Sequence, residues 1–126
     1  MGKDNIGMFC SGLCLCHCLA TPFLFTLGGV GLLGEVFHSE YVHIFLAFPV
    51  LGLVAITFPS SYRQHRCATP LVMGFFGAGL ILCSFLVSHD TEHYFSVFGG
   101  LLLFSAHFTN RHFLKRAPFQ TEVQSA

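Results

Sequence analysis

Four apolar runs, each about long enough to cross a bilayer, occupy nearly all of this chain and leave little else from which to build a fold. They extend from about Ile6 to Leu33, Tyr41 to Phe58, Leu71 to Ser88 and Tyr94 to Leu114. The 126 residues are 53% hydrophobic and only 10% charged, with a mean hydropathy of +0.67. A soluble domain carries about 25% charge, so these runs are not ordinary core segments. A backbone surrounded by hydrocarbon must satisfy its own polar groups, and a run of this length does so as a helix. The expected fold class is all-α and integral to a membrane. One domain over residues 1–126 forms a four-transmembrane-helix up-down bundle, because short connections make neighbours antiparallel. The first run exceeds what the hydrocarbon needs, and Gly28, Gly29, Gly31 and Gly34 suit a tilted or frayed end. The tail at 117–126 is expected to be loose.

Charge sets the orientation of this ladder. Lys3, Arg63, Arg66, Arg111, Lys115 and Arg116 fall in the N-terminus, the central junction and the C-terminal tail. Neither of the other two junctions holds a Lys or Arg. Basic residues in short loops stay on the cytoplasmic side, which places both termini there. The basic residues are too few and scattered for a nucleic-acid footprint. The apolar stretch after Lys3 is too long for a signal peptide and is read as a retained first helix. A cytoplasmic amino terminus puts Cys10 and Cys67 near the reducing side, so the six Cys are thiols or metal ligands rather than disulfides. Tyr41, Tyr62 and Tyr94 fall at run ends, where amphipathic rings settle into the interface. Gly74 with Ala78, and Ser96 with Gly100, have the spacing of close helix contacts.

Two groups of residues carry metal-binding chemistry. On a first helix, Cys10, Cys14, His17, Cys18 and Thr21 share one face, while Cys16 points elsewhere. Thiolate and imidazole suit Hg(II), Zn(II), Cu(I) or Cd(II) and are poor donors for Mg or Ca. Pro22 removes the hydrogen bond that the Cys18 carbonyl would accept, which opens a backbone oxygen beside the thiols. Pro49 does the same to Phe45 in the second run. Cys16 and Cys83 read as small apolar residues. An intramembrane His is costly and is expected to serve function, which singles out Cys14, His17 and Cys18. His107, with Asn110 one turn on, lies at a similar depth and could face that stripe, or could simply make an interhelical hydrogen bond.

The second group lies at the two junctions that lack basic residues. Glu35, His38, Glu40 and His43 cluster at one, and His89, Asp90, Glu92 and His93 at the other. Glu40 with His43, and His89 with His93, can share helix faces and together supply four N and O ligands, enough for tetrahedral Zn(II). Residues 89–93 also match the H-x-x-E-H zinc-peptidase pattern. That motif needs a long helix and a soluble domain for its third ligand, whereas here it occupies a turn between two runs.

At Cys14-Leu15-Cys16-His17-Cys18-Leu19-Ala20-Thr21-Pro22 the chain resembles the first-helix signature of the MerC family of inner-membrane mercury-resistance proteins. The resemblance continues at His38 and His43, at Glu92-His93, and at Gly99-Gly100 followed by His107-Phe108-Thr109-Asn110. It implies a multi-pass protein of the bacterial inner membrane that takes up Hg(II) from the periplasmic side, with Cys14 and Cys18 in the place of the family's Cys pair. This sequence adds Cys16 and His17, spaces the pair by three residues and is richer in His. Zn(II), which prefers mixed His, Cys and carboxylate sets, is therefore a competing substrate.

The leading expectation is a carrier rather than an enzyme. The outer rim of His38, Glu40, His43, His89, Glu92 and His93 collects a soft or borderline divalent metal. The stripe of Cys14, His17 and Cys18 accepts it, with His17 and His107 exchanging protons as it passes. Release to a cytosolic thiol acceptor would bring Cys10 or Cys67 into play. No organic cofactor is expected, and the sequence leaves room for a homo-oligomer. The alternative is a membrane oxidoreductase subunit with haem or a di-metal centre, suggested by eight His. The His pairs at 38/43 and 89/93 fall on one side of the membrane and the pair at 107/112 on the other, some 30 Å away, which opposes a shared di-metal centre. A small structural subunit would explain the packing residues but not the ligand asymmetry. Orientation is directly testable. A membrane-impermeant maleimide added from outside should label Ser39→Cys and Thr91→Cys but not Ser60→Cys, and labelling at position 60 would overturn this topology.

Overall fold

A computed structural model of the chain describes residues 2–26 and 39–125, except for the side chains at 24, 25, 89 and 117–125. The described residues form four helices and no strand: α1 (Gly2–Thr26), α2 (Glu40–His65), α3 (Thr69–Ser84) and α4 (His89–Ser125). The end of the first apolar run, with its glycines, Glu35 and His38, lies outside the described residues.

Local chemistry explains most of the boundaries. Ser39 caps α2, its Oγ accepting the Tyr41 N–H at 3.3 Å. Pro22 lies inside α1, and Pro49 and Pro59 inside α2, without ending either helix. Breaking a helix in apolar surroundings would expose more polar backbone than a single proline frees. For that reason α2 runs about two turns beyond the expected end at Phe58. It closes at Arg66, which adopts the left-handed conformation (φ 55°) and donates its N–H to Tyr62 O at 2.9 Å. Pro70 then opens α3, where its missing N–H costs nothing. At 16 residues α3 is about 24 Å long, short of the roughly 30 Å hydrocarbon thickness. Ser88 O accepts from both the Thr91 and Glu92 N–H groups, so residues 89–93 start a helix rather than form the expected turn. The tail beyond 117, expected to be loose, continues α4 as far as Ser125.

Gly2–Phe23 and Glu40–His65 are long and apolar enough to cross a membrane, with mean hydropathies of 1.6 and 2.1. Only 28% of the apolar window in each is buried, whereas the core helix of a soluble protein would be mostly covered. Phe9, Phe23, Phe45 and Phe48 point outward instead, a surface that suits lipid rather than water. The apolar α3 is shorter, and α4 is interrupted by His107, Asn110 and Arg111.

The core is built by Ala47, Val50, Val54 and Phe58 of α2, Ala78 and Ile81 of α3, and Leu103 and Ala106 of α4. Contact is most extensive between α3 and α4, then between α1 and α4. Small residues line these seams, as their spacing suggests, and at Gly77 and Gly99 the approach is of backbone to backbone. A Cβ on Gly77 would lie 3.0 Å from Gly99 O, and one on Gly99 would lie 2.9 Å from Gly77 O. Backbone meets backbone there, and neither helix can yield. Gly99→Leu should therefore cost about 2 kcal/mol, read as a lowered Tm in detergent. Gly79→Leu, which meets nothing within 4 Å, should be close to neutral in the same measurement.

Candidate functional site

The buried edge of α1 is made almost wholly of small and polar residues. Asp4, Gly7, Ser11, Cys14, Cys18 and Thr21 follow one another at three- and four-residue steps, and all six are buried. A helix seam of this spacing normally presents large apolar side chains. Here the apolar side chains of α1 face outward and the polar ones face the bundle. Cys10 and His17 flank the seam half-buried, while Cys16 and Cys83 are exposed.

At the Thr21 end of this seam three helices contribute to one chain of contacts. Cys18 Sγ lies 3.3 Å from His43 Nε2, and His43 Nδ1 lies 2.7 Å from Glu92 Oε1. A carboxylate can only accept, so Nδ1 carries the proton toward Glu92 and Nε2 offers its lone pair to the Cys18 thiol. Cys14 lies one turn before Cys18 on the same buried edge. The His17 ring meets His43 edge-on with centroids 5.3 Å apart, and the His93 ring lies 6.4 Å from His43 on another side. The stripe on α1 and part of the junctional rim thus form one cluster: Cys14, His17, Cys18, His43, Glu92 and His93. Glu40 is exposed in the first turn of α2 and takes no part in these contacts. His38 and the side chain of His89 lie outside the described residues.

The donors are strung in series. Both nitrogens of His43 are engaged by neighbouring side chains, so the groups point at each other rather than at a common centre. Among the described residues no three His, Cys, Asp or Glu side chains are placed to enclose a metal ion. What the arrangement can do is deliver a thiolate. Loading a metal on a thiol releases its proton, and the Cys18 proton has an acceptor one hydrogen bond away in His43, whose positive charge Glu92 would then balance.

A second polar network closes the opposite end. Asp4 Oδ1 accepts from Asn110 Nδ2 at 2.9 Å and from His107 Nδ1 at 3.2 Å. Asn110 Nδ2 also donates to Ser61 Oγ at 2.9 Å, and its Oδ1 lies 2.9 Å from His65 Nε2. The Cys67 N–H donates to His65 Nδ1, so Nε2 holds the His65 proton and is the donor to Asn110. His107 therefore faces Asp4 and Gly7 on α1, below the thiols. Beside this network is a cavity of about 630 Å³ whose lining includes Lys3, Asp4, Thr57, Ser61, Gln64 and Arg111.

Asp4, Ser61 and His65 had escaped the sequence reading. The one signal for Asp4 is periodic: it extends the spacing of Cys14 and Cys18 down the same helix edge. The outer cluster yields a test of its own. Glu92→Gln removes the charge that would balance a protonated His43. Hg(II) loading of the Cys pair, followed by thiolate charge-transfer absorbance, should slow about tenfold, the scale of one charge-assisted hydrogen bond.

A model of the MerC mercury resistance protein family matches residues 4–112. No curated protein and no solved structure matches the chain. The matched stretch begins at Asp4 and takes in every residue of both networks.

Proposed function

The chain belongs to the MerC mercury resistance protein family, and on that premise we propose that it carries a soft divalent metal, Hg(II) foremost, across the bacterial inner membrane from periplasm to cytoplasm. Cys14 and Cys18 are the central donors of this carrier. The observation that carries the proposal is the 3.3 Å contact of Cys18 Sγ with His43 Nε2, backed by Glu92. It joins the intramembrane thiols to the polar rim, so that collection and acceptance take place in one cluster. The rim residues His17, His43, Glu92 and His93 surround the entry, and Glu40, His38 and His89 belong to its approach.

The choice of metal follows from the serial arrangement. Zn(II) needs about four donors around one point, and among the described residues the side chains do not converge. Hg(II) is a soft ion satisfied by two thiolates in a nearly linear arrangement, which a pair of Cys one turn apart can approach. Four spans with both termini in the cytoplasm fit the charge pattern and put the outer cluster at the periplasmic end. Cys67, half-buried at the basic end, suits release to a cytosolic thiol acceptor. A di-metal or haem oxidase is a poorer reading. The 14 residues from His93 to His107 on α4 cover about 21 Å, and no described contact brings these imidazoles together.

Substitution separates the carrier from a protein that merely tolerates buried thiols. Cys14→Ser with Cys18→Ser should reduce uptake of radiolabelled Hg(II) by cells to the level of cells lacking the protein, because Ser is nearly isosteric but a poor soft-metal ligand. The double variant should still be found in the membrane fraction at its normal amount. Cys83→Ser and Cys16→Ser, whose side chains are exposed, should stay near wild type. Equal effects across all four positions would remove the path through α1.

A further inference from the structure

We propose that His107 is a second station for the carried metal, inward of the thiol pair, and that Asp4 is its positioning residue. The inference rests on the carrier reading above and adds where the metal goes next.

His43 and His107 are held in the same way. Each imidazole gives its Nδ1–H to a carboxylate, His43 to Glu92 at 2.7 Å and His107 to Asp4 at 3.2 Å. That arrangement fixes the tautomer with the lone pair on Nε2, and it is how proteins present an imidazole to a metal. The Nε2 of His43 is directed at Cys18. The Nε2 of His107 is fully buried and has no hydrogen-bond partner among the described residues, on a side chain that is 0% exposed. Leaving a buried acceptor unmet is costly. A purely structural His107, bridging α4 to α1, would need only its Nδ1.

Placement connects this nitrogen to the thiols. The His107 ring lies directly on Gly7, where any Cβ would overlap it, and is backed by the Phe58 ring with centroids 4.7 Å apart. Gly7 occupies the same edge of α1 as Cys14, about 10 Å further in along the helix. Between them stands Ser11, also 0% exposed, with its Oγ likewise unpartnered among the described residues. A metal leaving Cys14 thus meets a hydroxyl and then an imidazole along one unbroken polar edge. Asp4 closes the sequence at the cavity beside Lys3 and Arg111, where its carboxylate offsets the arriving charge.

Two measurements on the full chain test this. In the first, protein in liposomes is loaded from outside with one equivalent of Hg(II), and a thiol chelator in the lumen collects it. Thiolate charge-transfer absorbance reports loading and then unloading. His107→Gln, which keeps an N–H for Asp4 but removes the imidazole, should load as wild type does and unload inward at least about tenfold more slowly. Asp4→Asn should give a smaller slowing of the same step, with Asp4→Glu partly restoring it. In the second, the Cys14→Ser/Cys18→Ser protein is labelled with 15N at His and titrated with Zn(II). The His107 Nε2 resonance, identified by its absence in His107→Gln, should shift as its lone pair is taken. Unchanged unloading in His107→Gln, or an Nε2 resonance indifferent to Zn(II), overturns the second station. Should the Gln variant fail to fold, the shift of the His107 resonances in Asp4→Asn supplies the assignment, and the titration decides alone. Wild-type protein that loads Hg(II) but never delivers it inward would overturn the carrier, and the titration would still decide whether His107 binds metal.

Discussion

A thiol, an imidazole and a carboxylate in series, one from each of three helices, fasten one end of this bundle. Cys18, His43 and Glu92 can reach one another only if α1, α2 and α4 hold one relative register. A step of one residue in any of them would carry its member to another face. The polar groups also cannot be left alone, because an unmet hydrogen-bonding group in apolar surroundings costs several kcal/mol. The contact that supplies the chemistry therefore also specifies the packing. Asp4, His107, Asn110 and Ser61 do the same at the other end, and the apolar core of α2, α3 and α4 fills the space between. The bundle is pinned polar at both ends and packed apolar in the middle.

This division of labour decides which functions the arrangement suits. Among the described donors most already satisfy one another, so the protein holds its own site together without a metal. Such a site exchanges its contents more readily than a closed tetrahedral cage, in which the ion itself is the staple. Transient occupation is what a carrier requires. Each carboxylate acts through an imidazole rather than directly, and so sets tautomer and ring orientation while leaving the soft donors to meet the ion.

Much of this was legible in the residues. The four apolar runs foretold helices, and their order and number agree with those described. The face argument separated Cys14 and Cys18, both buried, from Cys16 and Cys83, both exposed. What one sequence could not give was register between helices. Spacing within α1 relates Cys14 to Cys18, but nothing local relates Cys18 to His43, 25 positions on, or Asp4 to Asn110, 106 positions on. The stripe and the rim consequently read as separate groups. Boundaries failed for a different reason: Pro59 and the polar residues after Phe58 look like an ending, yet a helix in apolar surroundings keeps its hydrogen bonds through both. His107 stood out in the sequence, facing the thiols or making an interhelical hydrogen bond; its contact with Asp4, 103 positions away, has no local signal.

The bare crossing of Gly77 with Gly99 has a mechanical meaning. Where two helices meet backbone to backbone, with Ile81 and Leu103 packed beside the contact, little side-chain torsion is available to absorb displacement, and the shared surface is nearly as stiff as the backbone itself. Helices α3 and α4 are thereby joined into a single lever. The polar edge of α1 is softer, since hydroxyls, thiols and imidazoles can trade partners at little cost in contact area. On the proposed carrier reading, an opening for the ion would be concentrated at the α1 boundary, where the donors are, with the glycine crossing as its fulcrum.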